Sequence, residues 1–286
     1  MSTLVTGGTG KTGIKLAHLL HDANCPFIIA SRAGKAPEPF KEVRLDWLDA
    51  TTFENPFVTD PKIDRVYLIC PPVYDMLQTM KPFVDLAVDK GIKRFVLLSA
   101  SGVGKGDIMM GKVHEYLVDI GVEYFVLRPT WFMKNFAITF GQSIQNDDQI
   151  FSIAGDGRIP FIAAQDIAQA AFNALVANKS PDDDSYIVGP ELYTYDEALT
   201  LKCNFLSAAE LLTDILGRKI THKKKAREEM LHFWDSVGAP KAFAERLTYV
   251  EEQAGEGSEE VVFNADKNKK IVGKIHLLFI GIVVGK

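Results

Sequence analysis

The amino-acid sequence predicts an α/β fold built on a doubly wound parallel sheet. In the first half of the chain, short β-branched and aliphatic runs alternate with longer segments whose apolar residues recur at spacings of three and four. Several of the short runs are apolar on both faces, which is typical of parallel strands covered by helices on both sides. A glycine-rich turn, residues 7–13, joins the first strand to the first helix. Together these observations indicate successive βαβ units.

Strands and helices are predicted to alternate as far as Pro129. The predicted strands are Thr3–Thr6, Phe27–Ala30, Glu42–Leu45, Arg65–Ile69, Arg94–Ser99 and Glu123–Leu127. The predicted helices between them are Lys11–Asp22, Val73–Lys90 and Ile108–Ile120. Beyond Pro129 the pattern weakens, and Asp182–Asp184 is expected to be a solvated loop. There we predict a helix near Phe161–Ala177, a strand at Tyr186–Val188, and helices near Ala208–Leu216 and Glu228–Trp234.

The composition is that of an ordinary globular protein. The 286 residues are 47% hydrophobic and 24% charged, which argues against disorder, collagen-like repeats and a membrane bundle. The cysteines Cys25, Cys70 and Cys203 are odd in number and form no CxxC pair, so we expect neither a disulfide scaffold nor a metal site. A strand that begins directly after Met1 leaves no space for a signal peptide, so a cytoplasmic protein is expected.

The charge balance gives no reason to expect a nucleic-acid partner. The net charge is -5, and the basic run Lys223–Lys225 is explained by a solvated helix face. The apolar tail 275–286 is shorter than the roughly 20 residues that a membrane-spanning helix needs. We therefore expect a small-molecule substrate, no membrane partner, and either a monomer or a homodimer.

The glycine-rich turn predicts a dinucleotide site. Its cofactor-binding candidates are Gly7, Gly8, Thr9, Gly10, Lys11, Thr12 and Gly13. In a G-x-x-G-x-x-G spacing after a first strand, Gly7 permits the tight turn, Gly10 permits close approach of a pyrophosphate, and Gly13 permits helix packing. An ordinary glycine-rich turn is the alternative. A P-loop is excluded because it needs glycine where this chain has Val5.

The end of the second strand favours NADP(H) over NAD(H). A carboxylate usually accepts the ribose hydroxyls of NAD at this position, whereas this chain has Ser31 and Arg32. A hydroxyl and a guanidinium suit a 2′-phosphate. A solvated arginine at a strand end is the alternative.

Further cofactor candidates follow the later strands. Asp46 and Trp47 are placed to meet the adenine. Cys70, Pro71, Ser99 and Pro129 lie where ligands of doubly wound sheets bind. Ordinary loop chemistry also explains each of these residues.

The sequence lacks the usual proton donor of short-chain dehydrogenases. No Tyr-x-x-x-Lys pair occurs in the chain, and loss of a general acid typically costs about 10²- to 10⁴-fold in rate. Hydride addition to an iminium carbon needs no such acid, because it yields a neutral amine. A cationic substrate would be held by apolar, aromatic and polarizable groups, and the candidates are Met109, Met110, Trp131 and Phe132. Lys112 is a candidate for contact with ribose or substrate, and a solvated helix lysine is an equal alternative.

Several strings together resemble a known family. Residues 127–136, L-R-P-T-W-F-M-K-N-F, followed by 162–168, I-A-A-Q-D-I-A, are similar to the NmrA-like atypical short-chain reductases. Within that group, residues 6–12, 46–49 and 109–113 resemble the fungal festuclavine and agroclavine dehydrogenases of ergot alkaloid biosynthesis. The resemblance covers roughly residues 1–250. It implies an NADPH-dependent enzyme that reduces an iminium formed from chanoclavine-I aldehyde, closing ring D of the ergoline, with an alkaloid as substrate.

The resulting expectation is a Rossmann-type NADP-binding domain at 1–155 with a smaller helix-rich substrate-binding lobe at 156–270 packed on the sheet edge. Residues 199–208 and 271–286 depart from the family pattern, and our hypothesis is that they are retained intron or gene-model errors. Two rivals stay open. One is an NADP-binding regulator without catalysis, and the other is an NADP-bound cyclase that transfers no hydride.

Overall fold

The computed structural model describes residues 1–200 and 220–274. The chain forms two compact units: the first comprises Met1–Pro129 and Ala164–Ile187, and the second comprises Thr130–Ala163 and Val188–Lys286. The units are therefore not the consecutive segments 1–155 and 156–270 that the sequence predicts. The segment from Ala164 belongs to the first unit because its helix packs on the first helix and its strand joins the central sheet.

Strands and helices alternate through the first unit as expected, and the elements of both units are as follows. The strands are β1 (Ser2–Val5), β2 (Phe27–Ser31), β3 (Glu42–Arg44), β4 (Ile63–Ile69), β5 (Arg94–Leu98), β6 (Glu123–Pro129), β7 (Gln149–Ser152), β8 (Asp183–Val188), β9 (Thr221–Lys224) and β10 (Lys270–Val272). The α-helices are α1 (Gly13–Asp22), α2 (Asn55–Thr59), α3 (Met76–Asp89), α4 (Met110–Asp119), α5 (Asn135–Asp147), α6 (Ala164–Val176), α7 (Tyr195–Thr200), α8 (Arg227–Ser236), α9 (Lys241–Gly255) and α10 (Ser258–Phe263). Within the described ranges, no helix is long and apolar enough to cross a membrane.

The first unit contains a parallel sheet in the order β8-β6-β5-β4-β1-β2-β3. Val5 of β1 lies between Ile29 of β2 and Tyr67 of β4. Leu4, Val5 and Tyr67 are fully buried, as expected for strands covered on both faces. The chain reverses its direction of progress across the sheet between β1 and β4, so the fold has the switch point at which doubly wound sheets bind ligands.

The predicted strands and helices of the first unit are confirmed, with ends displaced by a few residues. One expectation is wrong: Asp183 and Asp184 belong to β8 and do not form a solvated loop. Asp184 lies opposite Val126 of β6, and its carboxylate is 2.8 Å from Arg128 Nη1. An ion pair with the neighbouring strand thus allows an acidic run to extend the sheet. The predicted helix near Ala208–Leu216 lies outside the described residues.

The second unit is organised around aromatic side chains. β7 and β9 form a separate parallel pair, and α5 packs on β7. The rings that build this core are Phe136, Phe140, Phe151, Phe161 and Tyr195. Within the same unit, the N–H of Gly273 after β10 donates to the carbonyl of Val188.

Candidate functional site

The cofactor-binding candidates share one edge of the parallel sheet. They follow the carboxyl ends of β1, β2, β3, β4 and β5 or lie at the end of β6. In a parallel sheet these ends all face the same way, and the glycine-rich turn occupies the position next to the switch point. The fold therefore brings the candidates of the first unit to one side of one sheet.

The glycines of the turn are required by close packing beneath it. Gly7 has a φ of +55°, and a Cβ there would lie 3.2 Å from Ile69. A Cβ on Gly8 would lie 2.4 Å from Ile29 of β2, and a Cβ on Gly13 would lie 2.6 Å from the carbonyl oxygen of Gly7. Gly13 thus permits the helix to pack closely on the turn itself. Any larger side chain at Gly8 or Gly13 would displace the turn.

The exposed members of the turn are the ones that a ligand can reach. Thr9 and Gly10 are exposed, and Lys11 is half-buried. Gly8, Thr12 and Gly13 are buried, so these three support the turn from within. The N–H of Gly10 donates to the carbonyl of Gly7 over 2.8 Å, which closes the turn.

The start of α1 is suited to an anion. Thr12 precedes the helix and makes no side-chain capping hydrogen bond, and the first turn holds no acidic residue. The hydroxyl of Thr12 instead accepts a hydrogen bond from the hydroxyl of Tyr67 over 3.0 Å. A helix N-terminus attracts phosphate groups through its N–H groups and its dipole; at α1 the N–H of Ile14 donates to the carbonyl of Gly10 over 3.2 Å. Sequence reasoning missed Tyr67, which resembles any other aromatic residue of a buried strand.

The turn after β2 presents Arg32 to solvent. Arg32 is exposed, and no hydrogen bond or ion pair joins it to another described residue. Ser31 is buried, its hydroxyl donates to the carbonyl of Lys35, and it accepts from the Lys35 N–H, both over 3.1 Å. The hydroxyl proton that we predicted for a phosphate is therefore used to close this turn. Arg32 keeps its donors, while Ser31 shapes the loop that carries it.

Asp46 and Trp47 are held by the loop after β3. The carboxylate of Asp46 accepts from the N–H of Leu48 over 3.0 Å. The half-buried ring of Trp47 meets Phe83 edge-on, with 5.2 Å between ring centroids. Trp47 thus packs on an aromatic cluster while part of its surface remains accessible. Its contact with adenine stays a prediction.

The candidates after β4, β5 and β6 differ in exposure. Cys70 is half-buried, and loss of solvent raises the pKa of its thiol to about 12, so the thiol is neutral at physiological pH. Pro71, Ser99 and Pro129 are buried. The N–H of Ser99 donates to Leu127 over 2.8 Å. Because their side chains are buried, these residues present mainly backbone to a ligand at the sheet edge.

Arg128, which we did not predict as a site residue, organises the loop after β5. Its Nη2 donates to the carbonyl of Ser101 over 2.9 Å, while Nη1 pairs with Asp184. The guanidinium also lies over the ring of Tyr186, 4.5 Å from the centroid. The L-R-P string, residues 127–129, marked Arg128 as part of the family resemblance. Its contacts, however, depend on which strands are neighbours in the sheet and could not be predicted from the string.

Met109 lies in a strained turn before α4. It has a φ of +62° although it is not glycine, and such backbone is tolerated only where the surroundings enforce it. The backbone is also tightly packed two residues later, because a Cβ on Gly111 would lie 2.3 Å from the carbonyl oxygen of Gly104. Met109 is 8% exposed and Met110 is half-buried. The first two substrate candidates thus lie at the tightly folded start of α4.

Helix α4 carries titratable groups with partners of their own. Lys112 is exposed and its ammonium is 3.5 Å from Glu115. Tyr116 donates to Asp85 and accepts from Lys81, and loss of solvent followed by the bond to Asp85 raises the pKa of Tyr116. Burial lowers the pKa of His114, which favours its neutral form. Lys112 and Tyr116 are four residues apart and share a face of α4, but their order is the reverse of Tyr-x-x-x-Lys, and Tyr116 is bonded to Asp85 and Lys81.

The other substrate candidates, Trp131 and Phe132, belong to the second unit. Both are half-buried. Trp131 packs against the aromatic core of that unit, and its carbonyl accepts from the N–H of Ile162 over 2.8 Å. Phe132 forms a bridge with Ile162. Their contact with a substrate stays a prediction.

The second unit also contains a serine, histidine and aspartate chain that sequence reasoning missed. Ser152 Oγ is 2.9 Å from His222 Nε2, and His222 Nδ1 is 3.3 Å from Asp196. Ser152 and the imidazole side chain are fully buried. A nucleophilic serine must be reached by its substrate, and Ser152 is buried. The three side chains therefore have a structural role and link β7 to β9 and α7.

The fold is shared with solved structures of low sequence identity. A nucleoside-diphosphate-sugar epimerase from Staphylococcus aureus superposes with a TM-score of 0.73 at 16% identity over all of both chains. A triphenylmethane reductase from Citrobacter, solved with NADP(H), superposes with a TM-score of 0.70 at 20% identity over 93% of each chain. Fold and turn therefore define a Rossmann-type α/β protein. No protein-family model matches the chain.

Curated relatives place the chain more narrowly. Festuclavine synthase I of Penicillium roqueforti is 43% identical over 85% of this chain and 84% of its own length. Agroclavine dehydrogenase of Claviceps purpurea is 40% identical over 92% and 89%. Festuclavine dehydrogenase of Aspergillus fumigatus is 39% identical over 98% and 96%. The chain belongs to this family of oxidoreductases, the festuclavine synthases and the agroclavine and festuclavine dehydrogenases.

Proposed function

We propose that the protein is an NADPH-dependent reductase that transfers hydride to an iminium carbon in clavine alkaloid biosynthesis. The observation that carries the cofactor assignment is the shared sheet edge, where the start of α1 and the exposed Arg32 lie after neighbouring strands. The substrate class rests on the relatives, which are named for festuclavine and agroclavine.

The residues present fit the cofactor. A pyrophosphate suits the exposed Thr9 and Gly10 beside the N-terminus of α1, which has no acidic residue in its first turn, and a 2′-phosphate suits the exposed guanidinium of Arg32. Bound NADPH supplies the hydride. The protein's own contribution is to hold the reacting groups in place and to exclude water.

The absence of a Tyr-x-x-x-Lys pair favours an iminium over a ketone as the acceptor. Hydride addition to a ketone leaves an alkoxide oxygen that must gain a proton, whereas hydride addition to C=N⁺ cancels the positive charge and leaves a neutral amine. Among the described residues of α4, Tyr116 is bonded to Asp85 and Lys81 and His114 is buried. The substrate that agrees with this chemistry is the iminium formed when chanoclavine-I aldehyde cyclises; ring D closes in that cyclisation, and hydride addition then reduces the C=N⁺ bond.

The deciding experiment follows the hydride. The purified full chain is incubated with chanoclavine-I aldehyde and NADPH deuterated at C4 of the nicotinamide, and the product is examined by mass spectrometry. We expect a clavine product heavier by one deuterium and consumption of NADPH at 340 nm above the protein-free control. A product without label would identify a non-redox cyclase. Binding of NADPH without any turnover would identify a cofactor-sensing regulator.

A further inference from the structure

We propose that Tyr67 is a positioning residue for the cofactor. Its hydroxyl holds Thr12 and so fixes the point at which the glycine-rich turn becomes α1. The inference rests on the proposed function, since it takes the glycine-rich turn to be the NADPH site. Tyr67 is fully buried and acts through Thr12.

The hydroxyl pair is isolated from water. Tyr67 is 0% exposed, Thr12 is 1% exposed, and their oxygens are 3.0 Å apart. Burial raises the pKa of Tyr67 well above that of a solvated tyrosine, so the phenol remains a donor throughout the working pH range. Thr12 Oγ is therefore the acceptor in this pair.

This bond determines what the Thr12 side chain does at the start of the helix. A threonine before a helix usually turns its hydroxyl to the N–H groups of the first turn and satisfies one of them. Here the backbone of Thr12 has helical angles, φ -94° and ψ -35°, and no side-chain cap forms. The N–H of Ile14 donates instead to the carbonyl of Gly10 over 3.2 Å, and the N–H of Leu16 donates to the carbonyl of Thr12 over 2.9 Å. The position of Thr12 therefore determines how the turn joins the helix.

The remaining contacts beneath the turn are apolar and lack direction. Gly7 packs on Ile69 and Gly8 packs on Ile29. Tyr67 and Ile69 lie on the same face of β4, since alternate residues of a strand share a face. Ile69 thus limits how closely the turn approaches β4 at Gly7, while Tyr67 holds the turn in orientation at Thr12, where it becomes α1.

The backbone of Tyr67 is itself fixed to β1. The N–H and the hydroxyl of Thr6 both donate to the carbonyl of Tyr67, over 3.1 Å and 2.8 Å. The hydroxyl of Thr6 also accepts from the N–H of Ile69 over 2.8 Å. The strand that carries the tyrosine is therefore bonded to the strand that feeds the turn, which makes the hydroxyl of Tyr67 a rigid reference point.

The test compares Tyr67→Phe, Thr12→Val, the double variant and Thr12→Ser in the full chain. The dissociation constant of NADPH is measured by titration calorimetry, and the melting temperature is measured without cofactor. Each single variant is expected to bind NADPH roughly three- to tenfold more weakly, because it loses the hydrogen bond that holds Thr12 in place and the loss of one hydrogen bond has about this effect. The double variant is expected to bind no more weakly than the weaker single variant, because both changes remove the same bond. Thr12→Ser keeps the hydroxyl and is expected to restore wild-type affinity.

Tyr195→Phe is the matched control, since Tyr195 is a buried tyrosine of the second unit whose hydroxyl approaches Glu251. It is expected to leave the NADPH dissociation constant unchanged. Unchanged affinity in folded Tyr67→Phe and Thr12→Val, or independent effects that multiply in the double variant, would overturn the inference alone. If Tyr67→Phe fails to fold, the comparison of Thr12→Val with Thr12→Ser still tests the same hydrogen bond, because Thr12 is its acceptor. Failure of the wild-type chain to bind NADPH would overturn the proposed function and this inference with it.

Discussion

The guanidinium of Arg94 on β5 donates to the carbonyl oxygen of Ala177, 2.6 Å away, at the end of α6. The same group donates to Ala174 over 3.0 Å and lies 2.6 Å from Glu123. Arg94 is 2% exposed, so this charge is satisfied by a helix C-terminus, where carbonyl groups are unpaired and the dipole favours a cation. One buried arginine thus joins the sheet of the first unit to the helix that returns to it from the later sequence.

Replacement of Arg94 by methionine is expected to destabilise the protein by about 3 kcal/mol. The change keeps most of the side-chain length but leaves buried carbonyl groups without a donor. Urea unfolding measures the loss, and Lys93→Met at the exposed neighbouring position is the control. Arg94→Lys is expected to recover part of the stability only, because an ammonium does not reproduce the planar fork. Full stability in Arg94→Met would show that α6 is held without this contact.

Arg32→Ala is expected to raise the KM for NADPH roughly tenfold and leave the KM for NADH unchanged. A charge-assisted hydrogen bond to the 2′-phosphate accounts for this magnitude, and NADH has no such phosphate. Steady-state kinetics with both cofactors measures the ratio, and Lys15→Ala at an exposed position of α1 is the control. An equal change with both cofactors would contradict a role in 2′-phosphate recognition.

The stability of the protein is expected to fall as pH rises toward neutrality, because of Glu251 in α9. Burial raises the pKa of Glu251 from 4.5 to about 7 in the folded chain. The folded state therefore binds the proton more tightly than the unfolded state, so stability is greatest below pH 4.5 with respect to this group and is lost between pH 4.5 and 7. The difference amounts to about 3 kcal/mol.

Urea unfolding at pH 5, 6, 7 and 8, followed by tryptophan fluorescence, checks this expectation. Glu251→Gln keeps an acceptor for Tyr195 and is expected to remove this component of the pH dependence. Glu245→Gln makes the same chemical change at an exposed position of α9 and is expected to retain it. The same slope in Glu251→Gln as in the wild type would place the titration elsewhere.

Elements with a strong apolar period were predictable, and elements built on polar or small residues were not. β1, β4 and β5 are apolar on both faces, and the sequence alone places them. Helix α9 buries Ala244, Thr248, Glu251 and Ala254, so its spacing of about four residues carries no apolar signal. β9 has the sequence Thr-His-Lys-Lys and pairs with β7, so the helix face predicted for Lys223–Lys225 is wrong at Lys223 and Lys224.

The candidate site shows the same division between local and distant information. The glycine-rich turn follows from local spacing, because each glycine answers a steric demand of the turn or the strand beside it. Tyr67 and Thr12 are separated by 55 positions, and only the pairing of β1 with β4 brings them together. The hydroxyl of Ser31 was wrongly expected to be free, because its bonds to Lys35 depend on the shape of the following loop.

Gly111→Ala is expected to destabilise the protein by about 1–3 kcal/mol and to lower kcat/KM for the iminium substrate. The added methyl group would meet the carbonyl oxygen of Gly104 at 2.3 Å, and backbone must move to admit it. Met109 and Met110 would move with it, so the loss of activity is expected to persist at temperatures where the variant is fully folded. Gly141→Ala is the matched control: it lies within α5 with open space around it and is expected to stabilise the protein by about 0.5–1 kcal/mol. Wild-type kcat/KM in folded Gly111→Ala would show that the start of α4 is not part of the substrate site.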